Sequence, residues 1–389
     1  MEWLTPNNLR ILIIGGGNDN HIVRLLTNVK KKLPEVKIDF YDYEYDKNAK
    51  CKTLCEDIYG PSPFLSYVGY IINRIFKLKF VIYWSFWVGF FRIKRKYDIA
   101  NVHYVPPQLL WSVKIIKKKC KKLVLTPWGS DVLRQDEKSI KILKRIYNHA
   151  DYITVPITGF REKIKEIFQI GEDRLYTTAF GSEMIDLITA NEDLTKTEAK
   201  KRLGFDGKFV ITIGYNACPA HHHLEIIEQI NNVRDRLPEN LVLILPMSYY
   251  VTSKQHIIDV RKLLSKYKFD YYCFENYISN DKLLLVRKCS DVFIHAQTTD
   301  AASASLTEYL LTDNIVLNAS WLQYPQLEEF GCPYYKFDEL DDIGTVLLHA
   351  LSFPNENTVS VELKNYIKTL GWNNCSTNWV DFYKKIANK

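Results

Sequence analysis

An α/β fold of two doubly wound (Rossmann-like) parallel sheets is what this sequence predicts, and three observations carry the expectation. The chain has 389 residues, more than one domain of about 150 residues. Short apolar runs alternate with stretches of helical period, the pattern of a parallel sheet covered on both faces. The alternation pauses once, in a polar stretch after Phe180, and then begins again.

In the first series the strand-like runs are Arg10 to Ile14, Lys37 to Tyr41, Ile99 to Val102, Leu123 to Thr126, Tyr152 to Val155 and Leu175 to Thr178. Helix-period segments lie between them at His21 to Lys32, Gln108 to Lys119, Ser139 to His149 and Gly159 to Phe168. The polar stretch GSEMIDLITANEDLTKTEAKKRLGFDGK reads as an interdomain connection. The second series runs through Phe209 to Gly214, Val242 to Pro246, Tyr271 to Phe274, Val292 to Ala296, Ile315 to Asn318 and Tyr334 to Phe337. Two closing segments, Val359 to Leu370 and Ser376 to Ile386, read as helices that pack across the junction. The expected division is residues 1–185, 186–358 and a helical tail 359–389, with the strand carboxyl ends of both sheets facing a shared cleft.

Composition narrows the class. Hydrophobic residues make up 47% and charged residues 25%, ordinary globular values that exclude a disordered chain. The eight cysteines form no CxxC pair and no zinc spacing, so reduced thiols are expected. The opening MEWLTPNNLRILIIGGG lacks the n-region, h-region and cleavage site of a signal peptide, so a cytosolic location is expected.

The net charge of +7 hides an asymmetry. Residues 1–180 hold 31 Lys and Arg against 18 Asp and Glu, and the remainder holds 21 against 27. Between Ile58 and Ser130 one acid, Asp98, faces thirteen bases, which points to an anionic partner for the first half. Within that stretch, residues 68–96 carry an apolar run from Phe80 to Phe91 flanked by bases, too short to cross a bilayer. The segment is either a core helix with a solvated basic end or a helix in a membrane interface. The charge asymmetry favours the interface, with Trp84, Trp87 and Phe90 at headgroup depth and the bases on anionic lipid.

Four constellations can carry chemistry. The first strand ends in Gly15, Gly16, Gly17, Asn18, Asp19, Asn20 and His21. Such a turn lets backbone approach an anion or serves the fold alone; as a dinucleotide fingerprint it lacks its third glycine, although Asp39 or Asp42 supplies an acid near the end of the second strand. The loop Thr126 to Asp131 holds Trp128, Ser130 and Asp131 over the sheet, where Asp131 either caps a helix or meets a substrate hydroxyl. After the strand ending at Gly214 come Asn216 and three consecutive histidines, His221, His222 and His223. Three neighbours cannot all face one ion from a regular helix, so a phosphate field, to which His222 or His223 adds a donor, fits better than zinc. In the fourth, Asp300 precedes the small residues Ala301 to Ser305, which open a helix carrying Glu308. Free amides there suit a diphosphate and a carboxylate suits a ribose diol, while the plainer reading is a cap and a solvated helix residue.

Taken together these residues resemble the GT-B glycosyltransferases, and within them the family 4-like enzymes of bacterial surface polysaccharide assembly. That family carries two glutamates separated by seven residues at the nucleotide-cradling helix. Asp300 and Glu308 keep the spacing with the first acid shortened. The resemblance implies that Glu308 holds the ribose, that Asp300 reaches the donor sugar, that no metal is needed and that anomeric configuration is retained. The chain departs from the family pattern where an Arg and a Lys usually meet the diphosphate, offering Asn216 and the histidines instead. That segment looks more like transferases of enterobacterial common antigen assembly. The first-domain loop histidine of the family is also missing, with Trp128 near its place.

The expectation is thus a metal-independent glycosyltransferase, without cofactor, peripheral on the inner face of the plasma membrane. It moves a sugar from a nucleotide-sugar to a lipid-linked or oligosaccharide acceptor; nucleic acid is not expected as a partner. Asp131, Asp300 and His222 are the catalytic candidates, with Asp131 or Asp19 as base if the reaction inverts. Gly16, Gly17, Gly214, Asn216, His223, Tyr277, Ser303, Ser305 and Glu308 are the donor-binding candidates, and Asp19, Trp128 and Ser130 the acceptor-binding ones. The rivals are an NAD(P)-dependent oxidoreductase and a non-catalytic nucleotide-sugar-binding protein.

Overall fold

The computed structural model describes residues 9–388 except 45, 47, 77–79, 157, 301–302, 332 and 357. Ala301 and Ala302 of the expected helix start, Lys77 and Lys79 of the basic segment, and Cys332 lie outside the described residues. The chain divides into two units, one of residues 1–181 with 372–389 and one of residues 182–371.

The first unit holds seven parallel strands: β1 (Arg10–Gly15), β2 (Lys37–Asp42), β3 (Ile58–Tyr59), β4 (Tyr97–His103), β5 (Cys120–Thr126), β6 (Tyr152–Val155) and β7 (Leu175–Thr177). They lie in the order β3-β2-β1-β4-β5-β6-β7, so the topology switches between β1 and β4. Near-continuous apolar strands bury both faces of the sheet, as a parallel sheet requires. One face packs on Leu25, Leu26, Trp372, Trp379 and Tyr383, the other on Leu109, Leu143, Ile146 and Ile164. A polar ladder crosses the middle: Tyr383 Oη accepts from Asn101 Nδ2 at 2.8 Å, and Asn101 Oδ1 accepts from Thr126 Oγ1 at 2.8 Å.

The second unit holds six parallel strands: β8 (Phe209–Ile213), β9 (Leu241–Pro246), β10 (Asp270–Phe274), β11 (Val292–His295), β12 (Ile315–Ala319) and β13 (Tyr335–Phe337). Their order is β10-β9-β8-β11-β12-β13, with the switch between β8 and β11.

Three features differ from the expectation. The polar connection folds as two helices of the second unit, Glu183–Ala190 and Lys196–Leu203. Caps make them: Ser182 Oγ accepts from Met184 and Ile185 N–H, Thr195 Oγ1 accepts from Glu198 N–H, and Gly204 closes the second at φ +79°. The closing helices are not one block, since Val361–Thr369 belongs to the second unit and Trp372–Ala387 to the first.

The third concerns residues 68–96, whose described residues lie in the helices Pro63–Phe76 and Phe80–Phe91 and the loop after them. Phe90 is fully buried and stacks on Tyr41 with centroids 3.8 Å apart, so it is core and not an interfacial residue. Among the described side chains of these helices the exposed aromatics are Phe64, Tyr67, Trp84 and Phe91, with Trp87 half-buried edge-on to Phe91. Part of the basic run, though exposed, is also tied to its own unit. Arg95 donates to the buried Asp39 at 3.2 Å and pairs with Asp57, and Lys96 donates to the Lys118 carbonyl. Among the described residues no helix is long and apolar enough to cross a membrane.

Candidate active site

In the second unit the switch point gathers residues from the ends of β8, β11 and β12. Gly214 follows β8 at φ +60°, where a Cβ would stand 3.0 Å from His223 Nε2, so glycine is required by both backbone and packing. Asn216 Oδ1 accepts from Cys218 N–H at 2.8 Å and tightens the next turn. His222 takes a left-handed conformation (φ 54°, ψ 40°), which sends the three histidines apart. His221 and His223 are buried, whereas His222 Nε2 lies 3.2 Å from Thr298 Oγ1 and its Nδ1 lies 3.7 Å from Glu225. Burial lowers the His221 pKa to about 3 and that of His223 far below its usual value. Both are therefore neutral, and His223 brings no positive charge to a diphosphate. Its Nδ1 faces His256 Nε2 at 3.1 Å. Among the described residues no three His, Cys, Asp or Glu side chains converge as metal ligands.

Beyond β11, Asp300 Oδ2 lies 3.2 Å from Tyr215 Oη and 3.6 Å from His295 Nε2. Gln297 is held from both ends, by Tyr215 Oη at its side chain and by Trp321 Nε1 at its carbonyl. The helix Ala304–Leu311 follows, capped by Ser303 Oγ, which accepts from Leu306 N–H at 3.2 Å. The amides of Ala304 and Ser305, in its first turn, have no acceptor within the helix.

Glu308 is not a solvated residue: it is 5% exposed. Its Oε1 accepts from Ser182 Oγ and its Oε2 from Arg287 Nε, both at 2.9 Å. Arg287, itself buried, also donates to Tyr309 Oη at 2.7 Å and Ser305 Oγ at 3.2 Å, with its guanidinium 4.4 Å from the centre of the Tyr309 ring. Sequence reasoning missed Arg287, which reads as one more basic residue in the last turn of the helix Asn280–Cys289. Tyr277 is 86% exposed in the loop before that helix, outside this cluster.

In the first unit several candidates turn out to serve the fold. Asp42 accepts from the amides of Gly17 at 2.9 Å, Glu44 at 3.2 Å and Asp46 at 2.8 Å. Gly17 is thereby used inside its own loop, where a Cβ would meet Ala49 at 2.8 Å, and is not offered to a donor. The Gly16 carbonyl accepts from Asp19 N–H, and Asp19 Oδ1 caps the helix Asn20–Lys32 by accepting from His21 and Ile22 N–H. Asp39 is likewise buried, accepting from Tyr97 Oη at 2.7 Å and from Arg95. Neither acid of a dinucleotide reading faces a ribose.

Asp131 is a clamp. It is buried, its Oδ1 accepts from the amides of Trp128 (2.8 Å) and Gly129 (3.0 Å), and its Oδ2 accepts from Val105 N–H (2.8 Å), tying together the loops after β4 and β5. Burial pushes its carboxyl pKa up against those three amides. Gly129, at φ +107°, turns the chain into the short helix that Ser130 opens. With three of its acceptor directions taken by backbone amides and its side chain buried, Asp131 is placed as a clamp rather than as a base.

Around Trp128 stands an aromatic cluster that the sequence reading did not assemble. The Trp128 ring meets His21, Tyr104 and Phe180 edge-on at 5.7, 5.9 and 5.3 Å. His103 lies beneath, fully buried, and burial lowers its pKa to about 3. His21 is open to solvent at one edge, and its cover by neighbouring rings lowers its pKa despite Asp19 nearby. The available signal was positional, since Asn20–Lys32 and Tyr104 both follow strands at the switch point.

Residues 92–156 match the family model described as glycosyl transferase 4-like. No curated protein is significantly similar in sequence. The chain superimposes over nearly its whole length on a glycosyltransferase from Rickettsia africae (TM-score 0.69, 13% identity, 98% of this chain and 99% of that one). The chain has the GT-B fold of the glycosyltransferases. HepE of Anabaena, solved in complex with UDP, has the same GT-B fold (TM-score 0.68, 10% identity, 96% and 99% covered). So does sucrose-phosphate synthase of Thermosynechococcus elongatus (TM-score 0.65, 14% identity, 97% and 98% covered).

Proposed function

We propose that this protein transfers a sugar from a nucleotide-sugar to a lipid-linked acceptor in cell-surface glycan assembly, with retention of anomeric configuration. The observation that carries the reading is the arrangement after β11 in a GT-B fold: Asp300 before the capped helix start and Glu308 in its second turn. The first-turn amides of Ala304 and Ser305 and the helix dipole stabilise the departing diphosphate. Each Glu308 oxygen keeps an acceptor direction beyond those used by Ser182 and Arg287, and these take the ribose diol. Asp300 accepts from a hydroxyl of the donor sugar. HepE has been solved with UDP and with UDP-glucose, which makes UDP the first nucleotide to test.

Retention is supported by the first unit, where the two carboxylates available to an inverting reaction, Asp131 and Asp19, are held by backbone amides. A second reading keeps inversion with His21 as base, favoured by its open edge and lowered pKa beside Trp128. Membrane association is supported by the exposed Phe64, Tyr67, Trp84 and Phe91 on helices that adjoin the exposed bases Arg92 and Lys94.

A thermal-shift screen of UDP-, GDP- and dTDP-sugars against NAD and NADP tests the class, since a ligand at 100 times its Kd stabilises by about 2.7 kcal/mol. Stabilisation by a nicotinamide dinucleotide alone would overturn the reading. Proton NMR of the fresh product then decides between the α and β anomer. An inverted product whose formation is lost in His21→Ala selects the second reading.

A further inference from the structure

Arg287 is buried beneath the helix Ala304–Leu311 and held there by both its main chain and its side chain. Its carbonyl accepts from Asn314 Nδ2 at 2.9 Å and from Thr312 Oγ1 at 3.2 Å, so the segment that closes the helix fixes its backbone. Its guanidinium is braced by Tyr309. The Tyr309 Oη accepts from Nη1 at 2.7 Å, and the ring stacks on Phe293 of β11 with centroids 3.9 Å apart. A guanidinium is planar and always charged, so once braced it aims its other N–H groups in set directions.

Two of those directions end on residues of the candidate site. Nε donates to Glu308 Oε2 at 2.9 Å, and Nη2 donates to Ser305 Oγ at 3.2 Å. The second Glu308 oxygen accepts from Ser182 Oγ, so both oxygens are anchored and the plane of the carboxylate is set. At Ser305 the effect is of the opposite sign. A hydroxyl can accept or donate, and this one accepts from a cation, which commits its hydrogen to another partner and strengthens it as a donor. Among the described residues no acceptor takes that hydrogen. Ser305 stands in the first turn of the helix, where its amide has no acceptor within the helix either.

We propose that Arg287 is the positioning residue of the nucleotide site: one buried cation fixes Glu308 as the acceptor for the ribose hydroxyls and Ser305 as a donor to the diphosphate. The inference deepens the proposed function and rests on its placing of the nucleotide at the start of the helix Ala304–Leu311. It adds two selectivities. A locked Glu308 carboxylate prefers a ribonucleotide over its 2′-deoxy form, because the deoxy form leaves a buried charged acceptor without its hydroxyl. A committed Ser305 donor adds to the preference for a diphosphate over a monophosphate. Arg287 itself touches neither group, and acts only by holding the two residues that do.

The test is calorimetry on the full chain with UDP, 2′-deoxy-UDP and UMP, and with the corresponding guanosine nucleotides. The parent is expected to bind the ribonucleoside diphosphate about tenfold more tightly than its 2′-deoxy form, the scale of one hydrogen bond to a charged group. Arg287→Lys keeps the cation and loses the planar fork, so this preference should fall to within about twofold. The ratio of diphosphate to monophosphate affinity should fall about threefold in Arg287→Lys and in Ser305→Ala alike. Circular dichroism checks the fold, and if Arg287→Lys does not fold, Tyr309→Phe, which keeps Arg287 and removes its brace, should lower the same two ratios. A second unit that is merely loosened binds all the nucleotides more weakly in equal proportion. Unchanged ratios in the folded variants, with a parent that discriminates, overturn the role of Arg287 alone. A parent that binds neither set, or binds ribo and deoxy forms equally, overturns the proposed ribose contact of Glu308 and the inference with it.

Discussion

Removing Glu308 tests whether its carboxylate supports the second unit as well as a ligand. In Glu308→Ala the Arg287 guanidinium keeps Tyr309 Oη and Ser305 Oγ but loses its only carboxylate partner among the described residues. Breaking a buried ion pair from one side costs about 3–5 kcal/mol. For a unit of this size that corresponds to a fall in Tm of roughly 6–20 °C. Glu308→Gln retains acceptor and shape without the charge and should lose roughly half as much. Replacing both partners, Glu308→Leu with Arg287→Met, removes the buried charge altogether and should return to within about 1.5 kcal/mol of the parent. Urea denaturation of the parent, Glu308→Leu, Arg287→Met and the double variant, read as a double-mutant cycle, should give a coupling above about 2 kcal/mol. Calorimetry on Glu308→Gln separates folding from binding, with UDP affinity expected to drop about tenfold. If Glu308→Ala unfolds within about 0.5 kcal/mol of the parent, a magnitude ordinary for surface substitutions, the ion pair is not what holds this helix.

Three further outcomes are expected. Asp131→Asn turns an amide N–H towards the N–H of Val105 and should cost about 1–3 kcal/mol while leaving the shape of the pH–rate profile unchanged; loss of a limb would reinstate Asp131 as a base. His103, with a folded pKa of about 3 against about 6.5 unfolded, stays neutral while the unfolded chain takes up a proton. The first unit should therefore lose about 2 kcal/mol between pH 6.5 and 5 through this group, and His103→Phe should remove that part of the slope in denaturation at several pH values. At the basic face, Arg92, Lys94, Lys114 and Lys118 are exposed, and changing all four to Gln should weaken sedimentation with anionic vesicles by about a hundredfold or more at low salt. Undiminished sedimentation would assign those bases to another partner.

The strands were legible because a parallel sheet buried on both faces writes itself as continuous apolar runs, as in Val292–His295. The strand β3 was not, since two residues carry no period. The helices Glu183–Ala190 and Lys196–Leu203 escaped notice because both are only eight residues long and the second is polar, and caps define them more than an apolar face does. At the site the spacing of Asp300 and Glu308 was readable, but their partners were not. Arg287 lies 21 residues away from Glu308 and Ser182 lies 126 away, separations that only the sheet order brings together. Asp131 misled for the same reason: the amide of Val105, 26 residues earlier, makes it a clamp, and a local reading sees only a polar loop.

The first unit is assembled from both sides of the second, and this gives synthesis on the ribosome a direction. Residues 182–371 are contiguous and can fold as soon as they emerge. Residues 9–181 cannot complete their core then, because Trp372, Trp379 and Tyr383 come from the helix Trp372–Ala387, whose Trp379 Nε1 donates to the Ala179 carbonyl at 3.0 Å. Until that helix leaves the exit tunnel, one face of the first sheet is covered only in part, with the Asn101 amide awaiting the Tyr383 hydroxyl. The nascent chain therefore carries a finished second unit beside an open first one, and this interval is when a holding chaperone has apolar surface to bind.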